Sequence, residues 1–233
     1  MSRFLENPRI SRGLAAQLQT WRARVRAGER PRGWKMAFDA PASLERLQTT
    51  APLTGFLMDS AEVASGTTLS LADWTKAVAE AEVALHIGSD VPGGADRNTA
   101  RAAISGVGPA IELVDIKGSM DDAEVLLARN IYQRNIIVGV QDRSRAGCVL
   151  EGLTGYTLRN GVEMARVTGL ESKTEEWIAM VRQVADTLAA FGEKLCAGQI
   201  ILAGAIVPPM PVAPGEEWLY RLEPVGTLSV RFV

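Results

Sequence analysis

The stretch from Glu80 to Gly88, "EAEVALHIG", constrains this chain more than any other. Ala81, Val83, Leu85 and Ile87 make one parity apolar, while the other carries Glu80, Glu82, Ala84 and His86. Side chains alternate across a strand, so the pattern reads as a β-strand with Glu80 and Glu82 on one face. Neighbouring carboxylates repel, and that face must meet either water or a cation. A second apolar, strand-like stretch, "AIELVDIKG" at 110–118, embeds Glu112, thirty residues beyond Glu82 (112 − 82 = 30). A glutamate inside such a strand faces solvent or is paired. If Glu80, Glu82 and Glu112 meet, each raises the pKa of the others unless a cation intervenes. No cysteine or second histidine stands in ligand spacing, so an all-oxygen donor set favours Mg2+ or Mn2+ over Zn2+. The spacing alone leaves both readings open, a solvent face and a metal site.

Around these strands the pattern is mixed. Leu14, Leu18, Trp21 and Val25 give residues 9–28 one helical stripe, stopped by Gly28. "WKMAF" is a short strand carrying Lys35 between bulky neighbours, a half-buried lysine whose ammonium either snorkels to water or serves a substrate. Ser43 is expected to cap a short helix over "LERLQ", and Asn98 another after the loop "PGGADRNTA". A strand is expected in "PLTGFLMDS" and another over 62–71, a helix over 121–135, and strands from 136 to 140 and within 148–168, with turns at Gly152, Gly155 and Asn160–Gly161. Thr174 is expected to cap a long helix with the stripe Trp177, Val181, Val184 and Leu188, ended by Gly192. "GQIILAGAIV", "VPPMPVAPGEEW" and "TLSVRFV" complete the strands. Strands outnumber helices in irregular order, which argues for an α+β fold on a folded, antiparallel or mixed sheet. Residues 1–233 read as a single domain, with residues 1–32 as a small N-terminal helical lobe.

Composition narrows the function classes. With 25 basic and 27 acidic residues, the chain lacks the basic excess of a nucleic-acid binder. The cluster Arg22, Arg24, Arg26, Arg30 and Arg32 reads as a solvated helix face and its end. Cys148 and Cys196 read as reduced, interior thiols. Without a secretory apolar region at the start or a membrane-length apolar run, the expectation is a cytoplasmic protein with no membrane partner. His86 is the only histidine, so a Ser-His-Asp triad would have to use it. Four residues beyond Glu82, it lies about 13 Å along the strand, too far to share the carboxylates' ligand sphere. No GxSxG, P-loop or dinucleotide fingerprint occurs.

The ordered set "GWKMAF", "APLTGFL", "EAEVALHIGSDV", "PAIELVD", "GQIILAGAIVPPMPVAPGE" and "VGTLSVRF" resembles the fumarylacetoacetate hydrolase superfamily across nearly the whole chain. Within it the chain looks closest to the 2-keto-4-pentenoate hydratase / 4-oxalocrotonate decarboxylase branch. The resemblance implies a mixed, rolled β-sandwich with peripheral helices, usually oligomeric. It implies that Glu80, Glu82 and Glu112 hold Mg2+ or Mn2+, that Lys35 is the catalytic lysine, and that Lys35, Thr54, Gly55, Gly204 and Ala205 meet the substrate. Two stretches depart from the branch: Leu53-Thr54-Gly55 stands where Asp-Tyr-Gly is common, and "LAGA" at 202–205 replaces "LTGS". The implied substrate is a small 2-oxo acid or its dienol, and the implied reaction is hydration of a 2-hydroxy-2,4-dienoate. Decarboxylation of a 2-oxo-enedioate, carbon–carbon hydrolysis of an acylpyruvate, and a non-catalytic binding or assembly role are the alternatives. Arg129, Arg134 and Gln133 are candidates for holding a distal group.

Overall fold

A computed structural model describes residues 3–233. In chain order, and leaving aside short 3-10 turns, the elements are α1 (Pro8–Arg26), β1 (Pro31–Ala37), α2 (Pro41–Leu47), β2 (Leu53–Met58), β3 (Thr68–Leu69), β4 (Ala77–Ile87), α3 (Arg97–Ala103), β5 (Ile104–Asp115), α4 (Ala123–Ala128), β6 (Gln133–Val138), β7 (Thr154–Arg159), β8 (Val162–Val167), α5 (Thr174–Ala190), β9 (Ile200–Ala205), β10 (Met210–Pro211), β11 (Glu217–Glu223) and β12 (Gly226–Phe232). One mixed sheet runs β2-β1-β9-β4-β5-β6, with β10 added on β4. A second runs β3-β12-β11-β7-β8. The fold is the expected mixed, rolled β-sandwich.

The first sheet curls until its edges meet. Glu62, just past β2, bridges Ile136 of β6, and the Val63 N–H donates to the Ile136 carbonyl at 2.9 Å. Alternation then separates an inside from an outside. Leu57, Ala84, Ala110, Ile136, Ile200 and Leu202 pack together inside the roll. Val83, Leu85, Ile111, Leu113 and Ile201 point outward into the main core, where they meet Trp218, Tyr220 and Leu222 of β11 and the stripe Trp177, Val181, Val184 and Leu188 of α5. Such a narrow interior needs small residues: a Cβ on Gly33 would fall 2.0 Å from the Ile200 carbonyl oxygen. A second cluster joins Ile10 and Leu14 of α1 to Leu47, Leu53, Leu126 and Leu127. Within it the Gln17 amide donates to the Leu127 carbonyl at 3.0 Å.

Several local expectations are corrected. The helix expected over 121–135 ends at Ala128. Asn130, Ile131 and Tyr132 then take φ of 50°, 52° and 58°, and Gln133–Val138 pairs with β5 as strand. The physical cause is Asn130, whose side chain accepts from the Phe56 N–H (2.7 Å) and donates to the Phe56 carbonyl (2.9 Å), so β2 pulls the chain out of helix. Of 62–71 only Thr68–Leu69 is strand, and within 148–168 the strands begin at Thr154, so Gly155 is not a turn but lies inside β7, paired with Leu222 and Val167. The three expected caps also differ. α2 starts on Pro41 with Ala40 before it, which suits proline's fixed φ. Asp96, not Asn98, caps α3 by accepting from the Thr99 N–H at 2.7 Å. Thr174 is the first residue of α5, behind a 3-10 turn. Asn160–Gly161 does form the β7–β8 hairpin turn, with φ of 50° and 80°.

Cys148 and Cys196 are both free thiols. Cys148 is buried, and burial pushes its thiol up to about 12. Cys196 is only partly buried, against the expectation of an interior position, because it lies in the loop between α5 and β9. The arginine cluster is largely neutralised locally: Arg22 pairs with Glu193, Arg24 with Glu29, Arg30 with Asp59 and Arg32 with Glu62. Among the described residues no helix is long and apolar enough to cross a membrane.

Candidate active site

Two antiparallel strands set the site. Glu80 of β4 stands directly opposite Glu112 of β5, and Glu82 lies two residues further along the same face. One carboxylate oxygen from each of Glu80, Glu82 and Glu112 lies within 4.8 Å of the others. The face is not a wet one. Glu82 and Glu112 are 0% exposed, and Glu80 is partly exposed at the edge of a cavity.

Lys35 of β1 is far more buried than its strand pattern suggests, at 1% exposure. Its Nζ donates to Glu112 Oε1 at 2.6 Å. Gly55 makes room for this: a Cβ there would lie 2.9 Å from Lys35 Cγ. Glu82 Oε2 accepts from the Gly204 N–H at 2.8 Å, and Gly204 takes φ 91°, which suits glycine. Glu82 Oε1 and Glu112 Oε2 are buried without a hydrogen-bond partner.

The electrostatics follow from this crowding. Burial raises the Glu80 carboxyl to about 7, with Glu112 adding to it and Lys35 opposing. Burial, Glu112 and Glu80 push Glu82 well above the usual carboxylate range. Burial would lower Lys35, yet Glu112, Glu80 and Glu82 outweigh it and hold the ammonium above its usual pKa. Ionised together, three carboxylates against one ammonium would leave two negative charges, and two buried oxygens lack partners. A divalent cation with oxygen preference fits that donor set.

The cavity beside the cluster has a volume of about 590 Å3. Lys35, Glu80, Gly204 and Ala205 line it, with Ala205 opposite Glu82 in the β4–β9 register. Thr54 and Gly55 do not line it: Thr54 is buried, and its hydroxyl donates to Met36 Sδ at 3.6 Å. Arg129, Gln133 and Arg134 border a different surface pocket, where Arg134 reaches Asp115 at 3.1 Å. Gln133 and Arg134 lie there because 133–138 is strand rather than helix, and Arg129 directly follows the end of α4.

Most of the remaining wall is apolar, including Val78, Val114, Ile116, Met120, Ile131 and Val207. Sequence reasoning missed Asp39, Arg46 and Lys76, which also line the cavity. Parity held a signal for one of them: Lys76, directly before β4, is four residues before Glu80. Asp39 lies past the end of β1, beyond the left-handed Phe38, where strand alternation no longer applies.

His86 shares the face of Glu82 but does not line the cavity. Its Nε2 is buried without a partner, and burial together with Arg32 lowers its pKa to about 4. The folded pKa lies below the unfolded value of about 6.5, so the unfolded chain takes up the proton first. Stability therefore falls as pH drops from about 6.5 towards 4. Urea midpoints measured across that range should fall less for His86→Gln than for the unaltered chain. Equal slopes would show that His86 does not titrate as its burial demands.

Compared with models of known protein families, the chain matches none. It is 31% identical over 223 residues to 2-hydroxyhexa-2,4-dienoate hydratase of Comamonas testosteroni, covering 92% of this chain and 83% of the relative. This chain belongs to that hydratase–decarboxylase branch of the fumarylacetoacetate hydrolase superfamily. The structure agrees. The 4-oxalocrotonate decarboxylase of Pseudomonas putida G7, solved with magnesium and adipate, superposes with a TM-score of 0.86 at 25% identity, covering 96% of this chain and 86% of that one. Fumarylpyruvate hydrolase of Pseudomonas aeruginosa, solved with Mn2+ and pyruvate, shares the fold at a TM-score of 0.69 and 17% identity, over 88% of this chain and 89% of that one. A branch member with three clustered carboxylates beside an apolar cavity has the parts for metal-assisted chemistry on a small acid.

Proposed function

We propose that this chain is a divalent-metal-dependent lyase that hydrates a 2-hydroxy-2,4-dienoate. The observation that carries the reading is the buried Glu80–Glu82–Glu112 cluster, with Lys35 paired to it and a largely apolar cavity alongside. Glu80, Glu82 and Glu112 would hold Mg2+ or Mn2+. When bound, such an ion supplies a Lewis acid for a 2-oxo oxygen and its neighbouring carboxylate, where negative charge develops. Lys35, fixed against Glu112, presents its ammonium to the substrate carboxylate or passes a proton at carbon. The apolar wall holds the diene and excludes water from all but chosen positions. Gly204 and Ala205 offer backbone close to Glu82, with no side-chain hydroxyl of their own.

A second reading, decarboxylation of a 2-oxo-enedioate, is favoured by Arg46 and Lys76, cations that line the same cavity and could hold a far carboxylate. Carbon–carbon hydrolysis draws no support from His86, which lies off the cavity. The non-catalytic alternative leaves the buried carboxylates without a purpose.

The chain acts as one catalytic domain over residues 1–233, with residues 1–32 as a helical lobe whose first two residues lie outside the described ones and whose last two, Pro31 and Arg32, already open β1. Docking of α1 on α4, through Gln17 and the Arg12–Glu124 pair, supports that unit. We further read it as a cytoplasmic homo-oligomer acting on a small molecule, without nucleic-acid or membrane partners; the ion-paired arginines support the absence of nucleic acid.

The test is to strip the protein of metal and add 2-hydroxypenta-2,4-dienoate with Mg2+ or Mn2+, following the dienol absorbance and the product. Metal-dependent formation of a 4-hydroxy-2-oxo acid is the expected result. Metal binding with an unchanged dienol would move the assignment to the dicarboxylic substrate, and no metal binding would end the metal reading.

A further inference from the structure

A carboxylate outside the metal cluster also borders the cavity. Asp39 lies two residues past the end of β1, and Phe38 between them takes φ 63°, a left-handed conformation unusual for a bulky residue. Strain of this kind persists where the surrounding structure enforces it, often beside a working site. Asp39 lines two cavities at once: the main one and a smaller pocket of about 110 Å3. Gly204, Ala205 and Ile206 border both as well, so Asp39 and this end of β9 form the partition. Asp39 Oδ2 lies 3.9 Å from where a Cβ on Gly204 would stand, and the Gly204 N–H holds Glu82.

The small pocket is suited to water. Its wall includes Thr168, Gly169 and Ser172, all exposed, so it opens to solvent. At about 30 Å3 per molecule it has room for several waters. Asp39 itself is partly buried. Burial first, then Glu176, keep its carboxyl above the usual range, which brings it closer to the strength a base needs near neutral pH. Lys173, which would oppose that shift, is engaged by Glu176 at 2.9 Å. Among the described residues that line the main cavity, Asp39 is the one carboxylate besides Glu80.

We propose that Asp39 is the catalytic residue that holds and deprotonates the water added to the substrate, drawn from the small pocket. This rests on the hydratase reading above. The carboxylate takes one proton from the water as the water oxygen bonds to C4 of the 2-oxo-3-enoate. The C3–C4 π pair shifts towards C2 and leaves an enolate oxygen there. The proton on Asp39 then passes to C3, the C2 carbonyl re-forms and the carboxylate is restored. Water thereby supplies both the hydroxyl and the new hydrogen.

The test compares unaltered protein, Asp39→Asn and Asp39→Ser with 2-hydroxypenta-2,4-dienoate and Mg2+ in D2O. Ketonisation is followed by loss of the dienol absorbance and by deuterium at C5. Hydration is followed by the NMR signals of the 4-hydroxy product, and folding and metal binding by melting curves and calorimetry. Asp39→Asn is expected to keep metal binding and ketonisation while hydration falls by about 100-fold or more, as loss of a general base predicts. If Asn does not fold, Asp39→Ser is read in the same way. Hydration within about threefold of the unaltered rate, well short of a general-base effect, overturns the role of Asp39 and leaves the hydratase reading standing. Loss of ketonisation together with hydration also overturns it, since Asp39 would then act before water does. If the unaltered protein ketonises but never hydrates, the hydratase reading falls and takes this role with it.

Discussion

Glu82→Gln is expected to abolish the rise in melting temperature that Mg2+ or Mn2+ gives the unaltered protein, and to abolish turnover with it. An ion that binds only the folded chain stabilises it by about 2.7 kcal/mol at a hundredfold excess over Kd. For a chain of this size that is a shift on the order of 5–10 °C. Glu82 is fully buried, and its Oε1 has no partner in the protein, so an ion has a ready ligand there. The glutamine keeps an oxygen to accept from the Gly204 N–H, which now meets Glu82 Oε2 at 2.8 Å. Without metal the variant should melt no lower than the unaltered chain, and higher if repulsion from Glu80 and Glu112 dominates. A variant that still gains the full metal-induced shift would remove Glu82 from the ligand set. A metal-free variant that melts far lower would mean the carboxylate serves the fold instead.

Lys35→Met should have the opposite signature. Among the described residues Lys35 is the one cation paired with the three carboxylates, and its removal leaves Glu112 buried with no counter-charge. Breaking one half of a buried pair costs about 3–5 kcal/mol, far more than an intact pair contributes, because the stranded charge stays desolvated. The metal-free variant should therefore unfold at markedly lower urea. Added Mg2+ or Mn2+ should recover part of the loss, since the ion now supplies the positive charge. Turnover should stay down by about 100-fold or more, the usual scale for losing a proton-transfer group. Full activity in metal-loaded Lys35→Met would take Lys35 out of the chemistry. Unchanged metal-free stability would show that the cluster needs no ammonium to fold.

Much of this was legible before any coordinates. The alternation through Ala81, Val83, Leu85 and Ile87 set β4 and put Glu80 and Glu82 on one face, and the same logic set β5 and Glu112. The stripes of α1 and α5 were readable because a helix returns to the same face every three or four residues. Harder to read was every feature decided by a distant partner. The break after Ala128 depends on Asn130 bonding β2, seventy-four residues earlier (130 − 56 = 74). The burial of Lys35 depends on Gly55 and Glu112. Thr54 sits on the strand paired with that of Lys35 yet turns its hydroxyl to Met36.

What the sequence by itself determined is parity: which side chains share a face, and hence that three glutamates and one lysine could converge. Local sterics and the period of two are properties of the chain, and they survive any arrangement of the sheet. Only the tertiary structure decided which face is inside. Closure of the first sheet through Glu62 and Ile136 turned the carboxylate face inward and stripped it of water. The same closure left His86 off the cavity and Asp39 on its wall. A strand pattern cannot show this, because the cost of burying a charge depends on every strand that wraps around it, and those strands come from positions far apart in the chain.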